Sequence, residues 1–245
     1  MSLELSVVVP VHNETGNVGP LLSEICAALD GRAEYEIICV DDGSDDGTGE
    51  GLVALRPAFP RLRLIHFHRH AGQSAAIMAG VGEARAAWIA TLDGDGQDDP
   101  ADLSRMVSMA RDTAAAPTLR LVMGHRLRRR DTLVKRVSSR IANGVRARVL
   151  GDATPDTGCG LKLFSREAFM ALPRFDHMHR FLPALFLQAG WQVASAPVTN
   201  RPRLHGRSNY GVLDRLGTGI VDLLGVLWLK RRALRPVTAD TIDEH

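Results

Sequence analysis

Twice in its first hundred residues the chain runs from a short apolar stretch straight into a turn packed with aspartate. Tyr35 to Val40 leads into Asp41-Asp42-Gly43-Ser44-Asp45-Asp46-Gly47-Thr48, and Ala87 to Leu92 leads into Asp93-Gly94-Asp95-Gly96-Gln97-Asp98-Asp99-Pro100. Apolar runs of this length read as strands, and the Asp, Gly and Ser that follow supply turns and helix caps. Apolar residues at helical spacing fill the intervals. Short buried strands alternating with helices dictate a mostly parallel α/β sheet flanked by helices, with ligands gathering at the carboxyl ends of the strands. Both acidic turns then belong to one edge.

The same patterning predicts strands over 5–11, 35–40, 62–67, 87–92 and 119–123, with helices over 18–29, 49–55, 73–86 and 100–111. A basic amphipathic helix is expected over 132–150. The second half is less regular, with strands over 158–164 and 192–198 and helices over 166–172 and 181–189. No internal repeat or low-complexity linker breaks the chain, which favours one domain over 1–211 and an extension over 212–245.

The turn at 93–99 places four carboxylates within seven residues. On an extended backbone Asp93 and Asp95 project from one face, and the glycines beside Asp95 admit a bulky anion. Oxygen ligands of this kind suit Mg²⁺ or Mn²⁺, which commonly take one or two carboxylates and complete their shell with substrate phosphates. A solvated Asp-Gly turn is the plain alternative.

The formal net charge of +2 conceals an asymmetry: residues 1–50 carry eleven acids and only Arg32 as a base, whereas residues 120–148 carry ten Lys or Arg and one acid, Asp131. The basic stretch calls for an anionic partner. Nucleic acid is disfavoured, because no aromatic residue lies there to stack on bases. Cys26, Cys39 and Cys159 are too scattered for a disulfide framework or a zinc cluster and fit a reducing cytosol. The amino-terminal residues lack the basic and apolar regions of a secretory leader, so export by that route is not expected.

Four segments, SVVVPVHNE at 6–14, VDDGSDDGT at 40–48, HAGQSAAIMAG at 70–80 and LDGDGQDDP at 92–100, together resemble the successive signatures of family 2 glycosyltransferases. That resemblance implies a GT-A fold and a nucleotide-sugar donor, GDP- or UDP-linked. It places Pro10, Val11, Asn13 and Glu14 along base and ribose, Asp41 or Asp42 at the base or ribose edge, and Gln73 beside the donor. Asp93, Asp95 and Gln97 then hold metal and diphosphate. Further on, MGHRLRRRD at 123–131, KRVSSR at 135–140, DTGCGLKLFSRE at 156–167 and NRPRLHGRSNYG at 200–211 are similar to the polyprenyl-phosphate hexosyltransferases, the group that includes dolichyl-phosphate mannose synthases. By this likeness Arg126, Arg136, Ser139 and either Arg203 or Arg207 reach the acceptor phosphate, and Asp95 and Arg126 are the residues on which transfer depends. His125 stands where the group carries a small residue, and Asn209 where many members carry Lys or Arg.

The acceptor also has a physical rationale. A sugar hydroxyl must lose a proton as it attacks, which usually calls for a general base, whereas a lipid phosphate is already anionic and needs only placement and relief of charge repulsion. Guanidinium forks suit that task. The expected activity is inverting hexose transfer to polyprenyl phosphate at the cytoplasmic face of a membrane. The rivals are a transferase acting on a saccharide or protein hydroxyl, with Asp98, Asp99 or Asp156 as base, and a non-catalytic nucleotide-sugar sensor. From Leu213 to Leu229 apolar residues recur at helical spacing, with Trp228 and Lys230-Arg231-Arg232 at the end. Charges at Asp214, Arg215 and Asp222 leave too short an apolar run to span a bilayer, so the segment is expected to lie on the membrane surface, alone or with an integral-membrane partner.

Overall fold

The computed structural model describes residues 3–111, 116–127, 144, 148, 150–152, 154–203 and 212–232, without the side chains of 212–218 and 220. The helix expected over 132–150, and with it Arg136 and Ser139, falls almost wholly outside the described residues, as does Arg207. Chain contacts divide the protein into two compact units, residues 1–209 and 210–245.

The first unit contains β1 (Leu5–Val11), α1 (Val18–Leu29), β2 (Tyr35–Asp41), α2 (Thr48–Leu55), β3 (Leu62–His66), α3 (Gln73–Glu83), β4 (Trp88–Thr91) and α4 (Leu103–Arg111). Next come β5 (Leu119–Arg126), β6 (Lys162–Ser165), α5 (Arg166–Met170), α6 (Leu182–Gln188) and β7 (Gln192–Val198). All seven strands join one sheet in the order β3-β2-β1-β4-β6-β5-β7. The pairs β1–β2, β2–β3, β1–β4 and β5–β7 are parallel, while β6 runs antiparallel to both β4 and β5.

Every residue of β1 and β2 is buried, so both strands are mostly apolar on both faces rather than alternating, and the buried Ser6 hydroxyl donates to Glu36 at 2.7 Å. Val7, Val9 and Val11 join a core with Leu21, Leu22 and Ile25 of α1 and Leu103 and Met106 of α4. Val8 faces the other way, onto α3. A Cβ at Gly80 would stand 2.4 Å from Val8 Cγ1, so glycine there lets α3 lie directly against the sheet.

Several boundaries differ from the sequence reading. The helix at 73 ends at Glu83, where Ala84 turns extended. Residues 100–102 form a 3₁₀ turn capped by the Asp99 side chain, and α4 starts only at Leu103. The strand at 119 continues to Arg126 through its pairing with β7. At 158–161 there is no strand, because Gly160 passes hard against two carboxylates, as described below, and β6 begins at Lys162. In the second unit, α7 (Val212–Arg232) exposes Val221, Leu224 and Trp228, spaced to share one face, and ends in exposed Lys230, Arg231 and Arg232.

Candidate functional site

The carboxyl ends of β1, β2 and β4 form the site, as the parallel order requires. After β1 the chain turns at Asn13, whose φ of 58° lies in the left-handed region that Asn tolerates better than most residues. The turn is fastened to the acidic loop after β2. Asn13 donates from Nδ2 to Asp45 Oδ1 at 2.8 Å and accepts from Asp45 N at 3.0 Å, and Glu14 N donates to Thr48 Oγ1 at 3.0 Å. Pro10 and Val11 are buried within β1.

Asp41 and Asp42, expected at the base or ribose edge, are both nearly inaccessible. Asp42 accepts from Ala71 N at 2.7 Å and Gly72 N at 2.9 Å, and its Oδ2 lies 3.0 Å from His70 Nδ1. Asp41 Oδ2 lies 2.9 Å from His66 Nδ1. Their carboxylates thus hold the 66–72 segment against the end of β2. What faces outward beside Asp42 is a histidine pair the sequence reading passed over: His12 Nδ1 lies 2.9 Å from Asp42 O, and the His12 and His70 rings are 4.2 Å apart. The signal was present as His12 inside an already notable segment and three histidines at 66, 68 and 70.

The loop after β4 is a turn rather than an extended run, with Gly96 at φ 70°. Asp93 and Asp95 nevertheless lie near enough for the Asp95 charge to act on the Asp93 carboxyl. Gln73 at the start of α3 donates from Nε2 to Asp93 Oδ1 at 2.7 Å. Burial raises the Asp93 carboxyl above its ordinary range; Lys162 opposes the rise, Asp95 adds to it, and Arg126 and Gln73 oppose it. Asp98 is buried beside Asp93 and is pushed up to about 7, first by burial and then by Asp93. A Cβ at Gly160 would lie 2.4 Å from Asp93 Cγ and 2.5 Å from Asp98 Oδ2, so this turn is built around a glycine. The Thr91 hydroxyl donates to Gly160 O at 2.9 Å and secures it.

Asp95 accepts from Gln97 N at 3.1 Å through Oδ1 and from Arg203 Nη2 at 2.7 Å through Oδ2. Arg203 also lies 3.7 Å from Glu14. Burial raises the Glu14 carboxyl, an effect opposed by Asn17 and Arg203. The Gln97 side chain lies against Arg201 O at 3.5 Å, and Arg201 forms a two-pronged pair with Glu24 while its backbone N–H donates to Gln97 O. The segment after β7 therefore grips the acidic turn directly. Arg126, at the end of β5, is engaged by both oxygens of Asp156 at 2.7 and 2.8 Å.

Among the described residues, no three or more His, Cys, Asp or Glu side chains are grouped to hold a metal ion. Asp93 and Asp95 form a smaller, all-oxygen set. It fits Mg²⁺ or Mn²⁺ carried in with a diphosphate, which would complete the shell.

Residues 6–172 match the family described as glycosyl transferase family 2. Over 243 residues the chain is 38% identical to a dodecaprenyl-phosphate galacturonate synthase of Rhizobium johnstonii, covering 96% of this chain and 70% of that protein. It is 34% identical to an undecaprenyl-phosphate 4-deoxy-4-formamido-L-arabinose transferase of Edwardsiella ictaluri, covering 85% of this chain but only 63% of the relative's length. Among solved structures, a mannosyltransferase from Pyrobaculum calidifontis in complex with GDP-Man and Mn²⁺ superposes with a TM-score of 0.70 at 18% identity, over 96% of this chain and 66% of that one. Glucosyl-3-phosphoglycerate synthase from Mycobacterium tuberculosis, in complex with Mn²⁺, UDP and its product, gives 0.68 at 20% identity over 94% and 80%. With the GT-A fold shared across these structures and the family match spanning β1 to α5, the chain belongs to glycosyl transferase family 2.

Proposed function

We propose that this glycosyltransferase moves a hexose or hexose derivative, with inversion, from a nucleotide-sugar to the phosphate of a polyprenyl-phosphate lipid. The observation that carries the reading is the 2.7 Å contact between Asp95 and Arg203, which joins the acidic donor turn to the basic segment expected at an acceptor phosphate. The names of the two relatives above point to the same acceptor class.

The acceptor phosphate oxygen attacks the anomeric carbon, its bond to the donor diphosphate breaks, and the nucleoside diphosphate departs. A bound Mg²⁺ or Mn²⁺ would neutralise charge developing on the leaving diphosphate. Asp93 and Asp95 would hold it, and Gln73 fixes the Asp93 carboxylate in place. Arg126 and Arg203 are the described cations on the acceptor side, with Arg136, Ser139 and Arg207 assigned there by sequence. Residues 1–211 form the catalytic domain in this reading, and 212–245 an extension lying on the inner face of the membrane.

The state of the three carboxylates a hydroxyl-directed enzyme would need also favours a phosphate acceptor. Asp98 is buried against Asp93, Asp99 accepts from Ala101 N as a turn cap, and Asp156 is bound in the Arg126 fork. Asp98 and Asp156 are thereby withheld from a substrate hydroxyl. Purified protein incubated with polyprenyl phosphate, Mg²⁺ or Mn²⁺ and a panel of nucleotide-sugars, uronic acid and amino-sugar donors included, should give a glycosyl phospholipid by mass spectrometry. A product only with saccharide or peptide acceptors rejects the reading.

A further inference from the structure

Resting on that reading, we infer that Arg203 serves the two substrates in turn: it is held by the donor-site carboxylate Asp95 until the donor loads, and only then reaches the acceptor phosphate.

Arg203 donates to Asp95 Oδ2 at 2.7 Å and stands 3.7 Å from Glu14, while Asp93 adds a further negative charge that favours the charged guanidinium. Glu14, Asp93, Asp95 and Asp98 form a knot of acids, in which Arg203 supplies positive charge next to the very carboxylate that would bind a divalent cation. Two cations do not share that carboxylate easily. A dication bound to Asp95 would compete with Arg203 for the carboxylate oxygens and repel a guanidinium held a hydrogen bond away, leaving Arg203 to a phosphate partner. Donor loading thus turns Arg203 out of the acidic knot. Its backbone neighbour Arg201 stays fixed, paired with Glu24 and hydrogen-bonded to the main chain at Gln97 and Asp98, so Arg203 moves as a side chain on an anchored stem.

Binding is then ordered. With Arg203 committed to Asp95, the state competent for the acceptor phosphate is sparsely populated, and the apparent affinity for a phosphate falls by that fraction. Loading the donor restores it. The order has a chemical benefit: the lipid phosphate is gripped only when an activated sugar is already in place.

Isothermal titration with farnesyl phosphate as the probe, with and without Mn²⁺ and UDP or GDP, tests this without any turnover. Wild-type protein should bind the probe about tenfold more tightly when nucleotide and Mn²⁺ are present, a coupling of ordinary allosteric size. Asp95→Asn, which keeps the shape of the side chain but drops its charge, should bind the probe tightly with no nucleotide or metal at all. The gain must act through Arg203 and not through a general loss of negative field, so it should vanish in Asp95→Asn/Arg203→Gln. Probe affinity that ignores nucleotide in wild type and is unchanged by Asp95→Asn overturns the exchange while leaving a lipid-phosphate acceptor standing. A gain that persists in the double variant overturns it equally. Absence of probe binding under every condition, with no glycolipid product, rejects both the exchange and the function on which it rests.

Discussion

Arg126 and Asp156 meet as two nearly parallel hydrogen bonds, Nε to Oδ2 at 2.7 Å and Nη2 to Oδ1 at 2.8 Å, with both side chains largely withdrawn from water. Such a fork is structural as well as functional. Arg126→Ala would take the guanidinium away from a buried carboxylate and should destabilise the protein by about 3 kcal/mol. Arg126→Met combined with Asp156→Leu should recover much of that stability, since it removes both charges, but not transfer. Urea unfolding beside a lipid-product assay separates the two effects. Equal stability of Arg126→Ala and wild type would mean that the pair contributes nothing to the fold.

His179 is buried, with its Nδ1 2.7 Å from the Ser74 hydroxyl, and burial assisted by the charges of Lys162, Arg180 and His177 holds its pKa well below the ordinary value. The folded state keeps this ring neutral, whereas the unfolded chain protonates it below about pH 6.5. The unfolded state then binds the extra proton, so the contribution is present above that pH and is lost as pH falls. The loss approaches about 1.4 kcal/mol per unit for one proton. His179→Gln should show a shallower decline between pH 7 and 5.5. Parallel slopes in the two proteins would remove His179 as the cause.

Gly160→Ala tests how tightly the acidic turn is built. The new methyl would overlap the carboxylates of Asp93 and Asp98, and overpacking of this kind costs about 1–3 kcal/mol. Because the clash falls on a proposed metal ligand, Mn²⁺ binding in the presence of nucleotide should weaken more than tenfold even where the variant remains folded. Electron paramagnetic resonance of Mn²⁺ reads this directly, and unaltered metal affinity would place the ion elsewhere.

The exposed Val221, Leu224 and Trp228 of α7, followed by Lys230, Arg231 and Arg232, should hold the protein on anionic liposomes. Each basic residue near such a surface contributes about 1 kcal/mol, and the apolar residues add a part that salt does not screen. Sedimentation should fall with salt without vanishing, and should fall further in Leu224→Ser/Trp228→Ser. Full-length protein that stays in the supernatant at every ionic strength rules out this attachment.

The sheet from β1 to β4 was legible because each strand is a short, mostly apolar run and each intervening helix keeps its apolar spacing; both signals are local. The place of β6 was not. Its insertion antiparallel between β4 and β5 depends on partners about 40 residues away on one side and more than 70 on the other, with Met123 and Thr91 flanking Lys162. The same holds in the site. Spacing drew attention to Asp93 and Asp95 and the family resemblance to Gln73, which does donate to Asp93. The burial of Asp42 under the backbone of Ala71 and Gly72 could not be read from an Asp-rich turn, nor could the approach of Arg203 to Asp95 across 108 residues. Patterns of hydropathy carry no information about which distant charge will neutralise which.

That sequence distance has a consequence during synthesis. Glu14, Asp93, Asp95 and Asp98 are all translated in the first hundred residues, and the strands that position Asp93 are complete by Thr91. The cations that offset them are made later, Arg126 and Lys162 first and the Arg203 that binds Asp95 last. A growing chain whose amino-terminal half has begun to fold therefore carries a concentrated negative pocket ahead of its own counterions, and it must recruit cations from solution until those residues leave the ribosome. The nascent protein should respond to divalent ions during elongation differently from the finished one.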